Sequence, residues 1–296
     1  SDVLRFESAQ LSFLENADDV REVHNYVRAV DFALERLATL PISLRLIREI
    51  HAHLMEGVRG GYLTPGEFRR SQNWIGSAGS TINSATYVPP PVDDMHRGLA
   101  NLEAFIHAPS KMPSLLRLGV IHYQFEAIHP FLDGNGRVGR LLLVVLLQQW
   151  GLLSVPLLNL SAYFERFRQE YYDRLLAVSQ QGAWEDWLRF FLRGVSQQSQ
   201  DSLHRLSKLE ALRSRYDVVV RADKHATRMA SFVDHLFSRP IFSVVQLTKE
   251  VDVPYVAVNR YVAKLVDAGI LKEATGYKRN RIFVAHEVLK ALEQTR

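Results

Sequence analysis

The sequence predicts a mainly α protein with a small β-hairpin flap in its first half and a separate helix–turn–helix-and-hairpin domain at its end. Three observations predict it. Apolar residues recur at helical spacing through most of the chain. Between Arg59 and Pro91 that spacing gives way to Gly, Ser, Thr, Asn and Pro. After Ile241 two short amphipathic stretches separated by a turn are followed by alternating residues around Thr275-Gly276.

Asp18 to Leu40 is amphipathic, with Asp18 and Asp19 suited to a helix N-terminus and Pro41 ending it. Leu44 to Val58 forms the next helix. Asn73-Trp74-Ile75 and Thr86-Tyr87-Val88 read as the two extended arms of the flap. Helix resumes from Val92 to His107 and again from Pro113 to Ile128. A further helix runs from Asn135 to Trp150, with Gly151 as its C-cap. Ser161 to Gln180 and Trp184 to Leu212 are helical.

The charged, less periodic stretch 215–232 reads as a linker, which places a first domain over 19–214, an N-terminal segment at 1–18 and a second domain over 233–296. In the second domain Val244 to Val251 and Tyr255 to Ala268 are helices around the turn Asp252-Val253-Pro254. Glu273 to Ala285 is a hairpin. That order is a winged-helix plan.

The 296 residues suffice for two or three domains. The chain has no cysteine, which excludes disulfides, thiolate zinc sites and cysteine nucleophiles. The apolar run Leu141–Leu147 is far shorter than the roughly 20 residues of a membrane span, so no membrane association is expected. A cytoplasmic location fits these features. A net charge of +4 suits phosphate-bearing ligands.

The chemistry concentrates in His129-Pro130-Phe131-Leu132-Asp133-Gly134-Asn135-Gly136-Arg137-Val138-Gly139-Arg140. Gly134 and Gly136 flank Asn135 where a loop turns into a helix. Backbone N–H groups there can approach an anion closely, and the helix N-terminus carries partial positive charge. Arg137 and Arg140, three apart, share a helical face next to this nest, and their forked donors suit phosphate oxygens. Asp133 on its lip is placed to hold Mg²⁺ beside a polyphosphate, and an aspartate there also caps a helix. His129 is the candidate general base. Together these are the parts for transferring part of a nucleotide onto a hydroxyl.

The stretch from His129 to Arg140 is similar, at every defined position, to the signature HPFx[DE]GNGRxxR of the Fic (filamentation induced by cAMP) family. Phe68-Arg69, Gln72 to Gly76, Tyr87 to Pro90 and His122 to Ile128 resemble the family's segments before and within its flap and its helix leading into the motif. Leu160 to Phe164, Tyr171 to Leu175, and Trp184 with Trp187 resemble the helices after it. The likeness covers about residues 19 to 200.

The resemblance implies a Fic-type helical bundle and transfer of AMP from ATP to a Ser, Thr or Tyr hydroxyl of a protein substrate, the enzyme itself included. It makes His129 the base and Asp133 the Mg²⁺ ligand. It makes Gly134, Asn135 and Gly136 the anion nest, Arg137 a phosphate ligand and Arg140 the γ-phosphate ligand. Thr86, Tyr87, Val88 and Pro89 become the flap that docks the target as an added strand. Tyr163 and Tyr171 are weaker candidates for an adenine pocket, because aromatic residues at helical spacing more often pack a core.

Two other reactions stay open: Fic-type transfer of another phosphate-linked group (another NMP or phosphocholine), and removal of AMP. So does a regulator of another class, in which the Fic core senses nucleotide and the winged helix binds DNA through Tyr255 to Ala268, Lys278, Arg279 and Arg281. Nine basic against six acidic residues from 241 to 296 make a thin excess for DNA. Protein docking and a homodimer are the alternatives for that domain.

Many Fic proteins restrain themselves with a helix bearing [S/T]xxxE[G/N], whose glutamate pairs with the second motif arginine. Ser12-Phe13-Leu14-Glu15-Asn16 is one residue short of it, with Leu11 at the Ser/Thr position, and is not taken as that motif. Ser1 to Glu7 resembles the segment just after that helix in relatives. The expectation is that the helix precedes residue 1 and that Arg140 is unrestrained in this chain.

Overall fold

The computed structural model describes residues 17–58, 63–77, 79–223, 226–251, 253–276 and 281–293. The near-motif at Ser12–Asn16 and the basic pair Lys278 and Arg279 lie outside them. No helix among the described residues is long and apolar enough to cross a membrane. The chain divides into two compact units, one over Arg21–Ser199 and the other over Ser1–Val20 with Gln200–Arg296.

The first unit is helical: α1 (Ala17–Arg36), α2 (Leu44–Leu54), α3 (Val92–His107), α4 (Ser114–Ile128), α5 (Asn135–Gln149), α6 (Leu160–Arg166), α7 (Arg168–Gln181) and the first half of α8 (Trp184–Arg221). Ser43 caps α2 by accepting from the Leu46 N–H. Helices α4 and α5 are apolar on most sides and are accordingly buried on most sides. Leu118, Ile121 and Phe125 of α4 meet Val138, Leu141, Leu142 and Val145 of α5 in one core with Ile47 and Ile50 of α2 and Leu99 and Leu102 of α3. Burying each such side chain stabilises the fold by about 1.5–3 kcal/mol.

Four boundaries differ from the periodicity. Helix α1 ends at Arg36 rather than Leu40, and α2 at Leu54 rather than Val58. The helix expected over Ser161–Gln180 breaks at Phe167, where the backbone (φ −112°, ψ 38°) leaves the helical region. The Phe167 ring packs on Tyr163 there, with centroids 4.8 Å apart. Helix α8 does not stop at Leu212 but runs to Arg221. The stretch expected as a linker, 215–232, is helical on both sides of Asp223. It contributes Tyr216, Val220, Met229 and Phe232 to the second core. The charges that looked like a linker are the solvated faces of these helices.

The flap is leaner than a hairpin. Its arms meet in a single antiparallel bridge, Ile75 with Tyr87. Ile75 donates to the Tyr87 carbonyl at 2.8 Å, and Thr86 and Tyr87 both donate back to the Ile75 carbonyl. A 3-10 turn, Ile82–Ser84, lies between the arms.

In the second unit α9 (Ala226–Ser238) leads into β1 (Ile241–Ser243). Then come α10 (Val244–Glu250), α11 (Tyr255–Asp267), β2 (Lys272–Glu273), β3 (Ile282–Val284) and α12 (His286–Glu293). The strands form an antiparallel sheet of order β1-β3-β2, with Phe242 opposite Phe283 and Glu273 opposite Phe283 on the other side. Ser243 and Gln246 form a reciprocal capping box at the start of α10. Gly269, at φ 71°, ends α11 in a conformation that disfavours a side chain.

Candidate active site

Helix α4 ends at Ile128, and His129 takes the left-handed conformation (φ 48°, ψ 61°). For a residue with a side chain that conformation costs about 1–2 kcal/mol, so the surroundings must impose it. Arg69 is the chief restraint. It is 1% exposed and spends its donors on backbone. Its Nε donates to the His129 carbonyl at 3.1 Å, Nη1 to the Ser71 carbonyl at 3.1 Å and Nη2 to the Pro90 carbonyl at 2.5 Å. Its own N–H donates to the Pro130 carbonyl at 2.8 Å. One guanidinium thus ties both ends of the flap to the turn that carries His129.

The imidazole is oriented by the same turn. Nδ1 lies 3.4 Å from the Glu126 carbonyl oxygen, which can only accept, so Nδ1 carries the proton and Nε2 the lone pair. Burial lowers the His129 pKa to about 4. The ring is therefore neutral near pH 7, as a proton acceptor must be.

Past His129, Asn135 closes the loop. Its Oδ1 accepts the Phe131 N–H at 2.8 Å and its Nδ2 donates to the Phe131 carbonyl at 2.8 Å. Asn73 donates to that carbonyl too, at 3.0 Å. The Asn135 side chain is thereby committed to the loop, which leaves only its N–H to an anion. The first intrahelical bond of α5 joins Val138 N–H to the Gly134 carbonyl. The N–H groups of Asn135, Gly136 and Arg137 come before it and are free of intrahelical acceptors. Gly134 (φ 79°) turns the chain, and a Cβ there would stand 2.9 Å from Met55 Sδ.

The two arginines differ. Arg137 is engaged: Nη1 is 3.3 Å from Glu22, and Nη2 is 3.2 Å from Met55 Sδ and 3.8 Å from Asp133. Arg140 folds back over the N-terminus of α5, since a Cβ at Gly136 would stand 2.9 Å from its Nη1. Asp133 Oδ1 accepts the Gly134 N–H at 2.6 Å. The N-cap of α5 is Gly134 itself and no side chain caps the helix, so the capping role the sequence allowed for Asp133 is not taken up. Its side chain is 45% exposed. No group of three or more acidic or histidine side chains that could hold a metal lies among the described residues. A lone, half-exposed carboxylate at an anion nest still fits Mg²⁺, which takes one or two carboxylates and completes its shell with phosphate and water.

His129, Gly136 and Arg140 line one cavity of about 490 Å³ with Thr86 and Tyr87 of the flap, Glu126 and Tyr171. Tyr87 OH donates to the Ala127 carbonyl at 2.9 Å, which pins the flap beside the turn. Val88 is exposed, and Pro89 accepts from Gln72 at 2.8 Å. Tyr171 lies within hydrogen-bond distance of His122, OH to Nε2 2.9 Å. Burial lowers the His122 pKa to about 3 and raises the Tyr171 phenol well above its usual range.

Tyr163 is elsewhere. It is buried among Phe164, Phe167 and Phe190, and a Cβ on Gly194 would overlap its ring at 2.6 Å. Of the two tyrosines singled out from the sequence, only Tyr171 reaches the cavity; the spacing of Tyr163 reflects core packing.

Three residues of the site lie outside the stretch His129–Arg140, and the sequence assigns them no role. Arg69 is one. Glu126 is another: its Oε1 is buried with no hydrogen-bond partner among the described residues. Burial raises its pKa to about 7, against the opposing pull of Arg140. The third is His51 of α2, 1% exposed, whose Nε2 is 3.0 Å from the Asp133 carbonyl and whose pKa burial lowers to about 4. A lone histidine on an apolar helical face gives no sequence signal of such a partner.

Residues 41–147 match the model of the Fic/DOC family. The chain is 30% identical over 178 residues to a protein adenylyltransferase Fic of Culex quinquefasciatus, covering 56% of this chain and 31% of that protein. It is 32% identical over 183 residues to the protein of the same name from Aedes aegypti, covering 56% and 32%. It thus spans about a third of the length of these relatives. Among solved structures it shares the fold of a Fic family protein from Desulfovibrio desulfuricans G20, with TM-score 0.56, 17% identity, and 96% of this chain and 80% of that one covered. Fic-1 from C. elegans, residues 134–508, aligns with TM-score 0.52 and 21% identity over 69% of this chain and 57% of that one.

Proposed function

We propose that the protein, whose residues 41–147 match the Fic/DOC family model, is a protein adenylyltransferase that moves AMP from ATP to a hydroxyl side chain of a protein and releases pyrophosphate. One observation carries the reading. His129, with Nε2 open, faces the same cavity as Gly136 at the N-terminus of α5 and Arg140.

In this reading the target hydroxyl oxygen attacks the α-phosphorus in line. The bond from that phosphorus to the α–β bridging oxygen breaks, and the electron pair leaves with pyrophosphate. The hydroxyl proton passes to Nε2 of His129. The N–H groups of Asn135, Gly136 and Arg137 and the dipole of α5 receive the phosphates. Arg140 neutralises the terminal phosphate, and Arg137 contributes charge at the helix start while tied to Glu22. Asp133 is the residue that would hold Mg²⁺; the cation, when bound, would neutralise phosphate charge. Ile75 and the segment Thr86, Tyr87, Val88 and Pro89 offer an edge for the target chain. Tyr171 borders the cavity as a candidate contact for the base.

The test is incubation with ATP and Mg²⁺, with the mass of the protein and of added targets measured. A gain of one AMP that disappears in His129→Ala supports the mechanism, and labelling that survives the substitution refutes it. A panel with GTP, UTP and CDP-choline in place of ATP tests the transferred group.

For the second unit we propose a winged helix, with α11 as the presented helix and β2–β3 as the wing. The element order and the sheet order β1-β3-β2 support it. On the DNA expectation, Lys264 is tied to Asp223, and Arg281 is 3.7 Å from Glu273. Tyr255 and Val256 of α11 are exposed. Titration of the whole chain with duplex DNA at low salt separates DNA binding from protein docking.

A further inference from the structure

His51 sits on α2, outside the motif. Its two ring nitrogens are both engaged. The Gly66 N–H reaches Nδ1 at 2.8 Å, and the Asp133 carbonyl lies 3.0 Å from Nε2. An N–H can only donate and a carbonyl can only accept, so Nδ1 holds the lone pair and Nε2 holds the proton. The ring is one neutral tautomer with both ends used. It also stacks on Phe131, with centroids 3.8 Å apart and planes 8° apart. A Cβ at Gly134 would stand 3.3 Å from Nε2, so Gly134 lies flush against the ring.

The peptide between Asp133 and Gly134 is the last before α5 begins. A trans peptide is rigid, and its C=O and N–H point in opposite directions. Fixing the carbonyl fixes the plane. With the carbonyl drawn to His51, the Gly134 N–H faces the other way, where Asp133 Oδ1 accepts it at 2.6 Å. The orientation of this plane sets where α5 starts. It therefore sets where the N–H groups of Asn135, Gly136 and Arg137 point.

We infer that His51 is a positioning residue for the anion nest: by gripping the Asp133 carbonyl and stacking on Phe131 it aims the first turn of α5 at the phosphates. The inference rests on the reading of that turn as the phosphate site. It differs from a mere packing role in one respect. Packing needs only the shape of the ring, whereas positioning needs the donor at Nε2.

Two substitutions in the full chain separate these. His51→Phe keeps the stack and removes both hydrogen bonds. His51→Gln returns a donor near the position of Nε2. Two readouts are taken on each: the Kd for ATP with Mg²⁺ by calorimetry, and hydrogen–deuterium exchange over residues 129–137. His51→Phe is expected to weaken ATP binding by at least about tenfold, the scale of a misplaced site. It should also speed exchange over 129–137, and His51→Gln should restore most of both. ATP binding by His51→Phe equal to that of wild type overturns the inference, as does equal loss in the Phe and Gln variants. If wild type itself binds no ATP, the phosphate reading fails and exchange decides alone. Faster exchange in His51→Phe with recovery in His51→Gln upholds the positioning of the turn, and unchanged exchange overturns it.

Discussion

Arg69 Nε donates to the carbonyl oxygen of His129 at 3.1 Å, and the same guanidinium reaches Ser71 and Pro90 at the two ends of the flap. The strained turn of the proposed base and the proposed docking edge for the target therefore share one buried cation. Lysine can supply one direction of this contact but not the fork. Arg69→Lys is expected to leave at least one buried carbonyl without its donor, at about 1–3 kcal/mol of stability. It should lower kcat by about tenfold or more through misplacement of His129, while the KM for ATP changes little. Urea unfolding and steady-state labelling measure the two effects. A rise in KM for ATP with kcat unchanged would contradict this role.

Arg140 offers the opposite case. Among the described residues it has no hydrogen bond or ion pair closer than general electrostatic influence on Tyr26, His122, Glu126 and Tyr171. Removing its charge takes away no bond that holds the fold. Arg140→Ala should change stability by no more than about 0.5 kcal/mol, as for substitutions away from buried networks. It should weaken ATP binding by about tenfold or more, as loss of a charge-assisted phosphate contact does. A variant that binds ATP as wild type does would remove Arg140 from the phosphate site.

Glu126 gives a pH signature. Its pKa is raised from 4.5 to about 7 by burial. The folded state holds this proton more tightly than the unfolded chain, so the associated stability is full below the unfolded pKa and is lost as pH rises through about 7. Glu126→Gln keeps the neutral shape and cannot ionise. The two proteins should be alike in stability at pH 5, and the Gln variant should gain on wild type by on the order of 3 kcal/mol at pH 8. Parallel stability curves from pH 5 to 8 would show that Glu126 ionises as an ordinary carboxylate.

On the acid side the sign reverses. His51, His122 and His129 all have lowered pKa values, so stability from keeping them neutral is present above about 6.5 and declines as pH falls toward about 4 for His51 and His129 and about 3 for His122.

Much of the fold was legible because its signals are local. The helical period marks α2 to α5, proline and glycine mark their ends, and the mix of small and polar residues marks the flap. What misled was also local: the charged faces of α8 and α9 hid Tyr216, Val220, Met229 and Phe232, which a partner surface buries. In the same way Tyr163 and Tyr171 look alike in sequence. Only the packing of α6 against Phe190 and Gly194 sends one to the core, while α7 sends the other to the cavity.

By itself the sequence determined which groups the proposed chemistry would use. His129, Asp133, the Gly134–Gly136 nest, Arg137 and Arg140 are contiguous, and a loop entering a helix dictates their common neighbourhood. The tertiary structure alone decided how that neighbourhood is held and what each group is free to do. It committed the Asn135 side chain to Phe131, engaged Arg137 with Glu22, brought Arg69 and His51 to the site from distant positions, and buried the Glu126 carboxyl, one helical turn before His129, against the same cavity. The physical reason is that hydrogen bonds and burial act through space. A sequence displays the donors and acceptors, and only the folded chain says which of them are already satisfied.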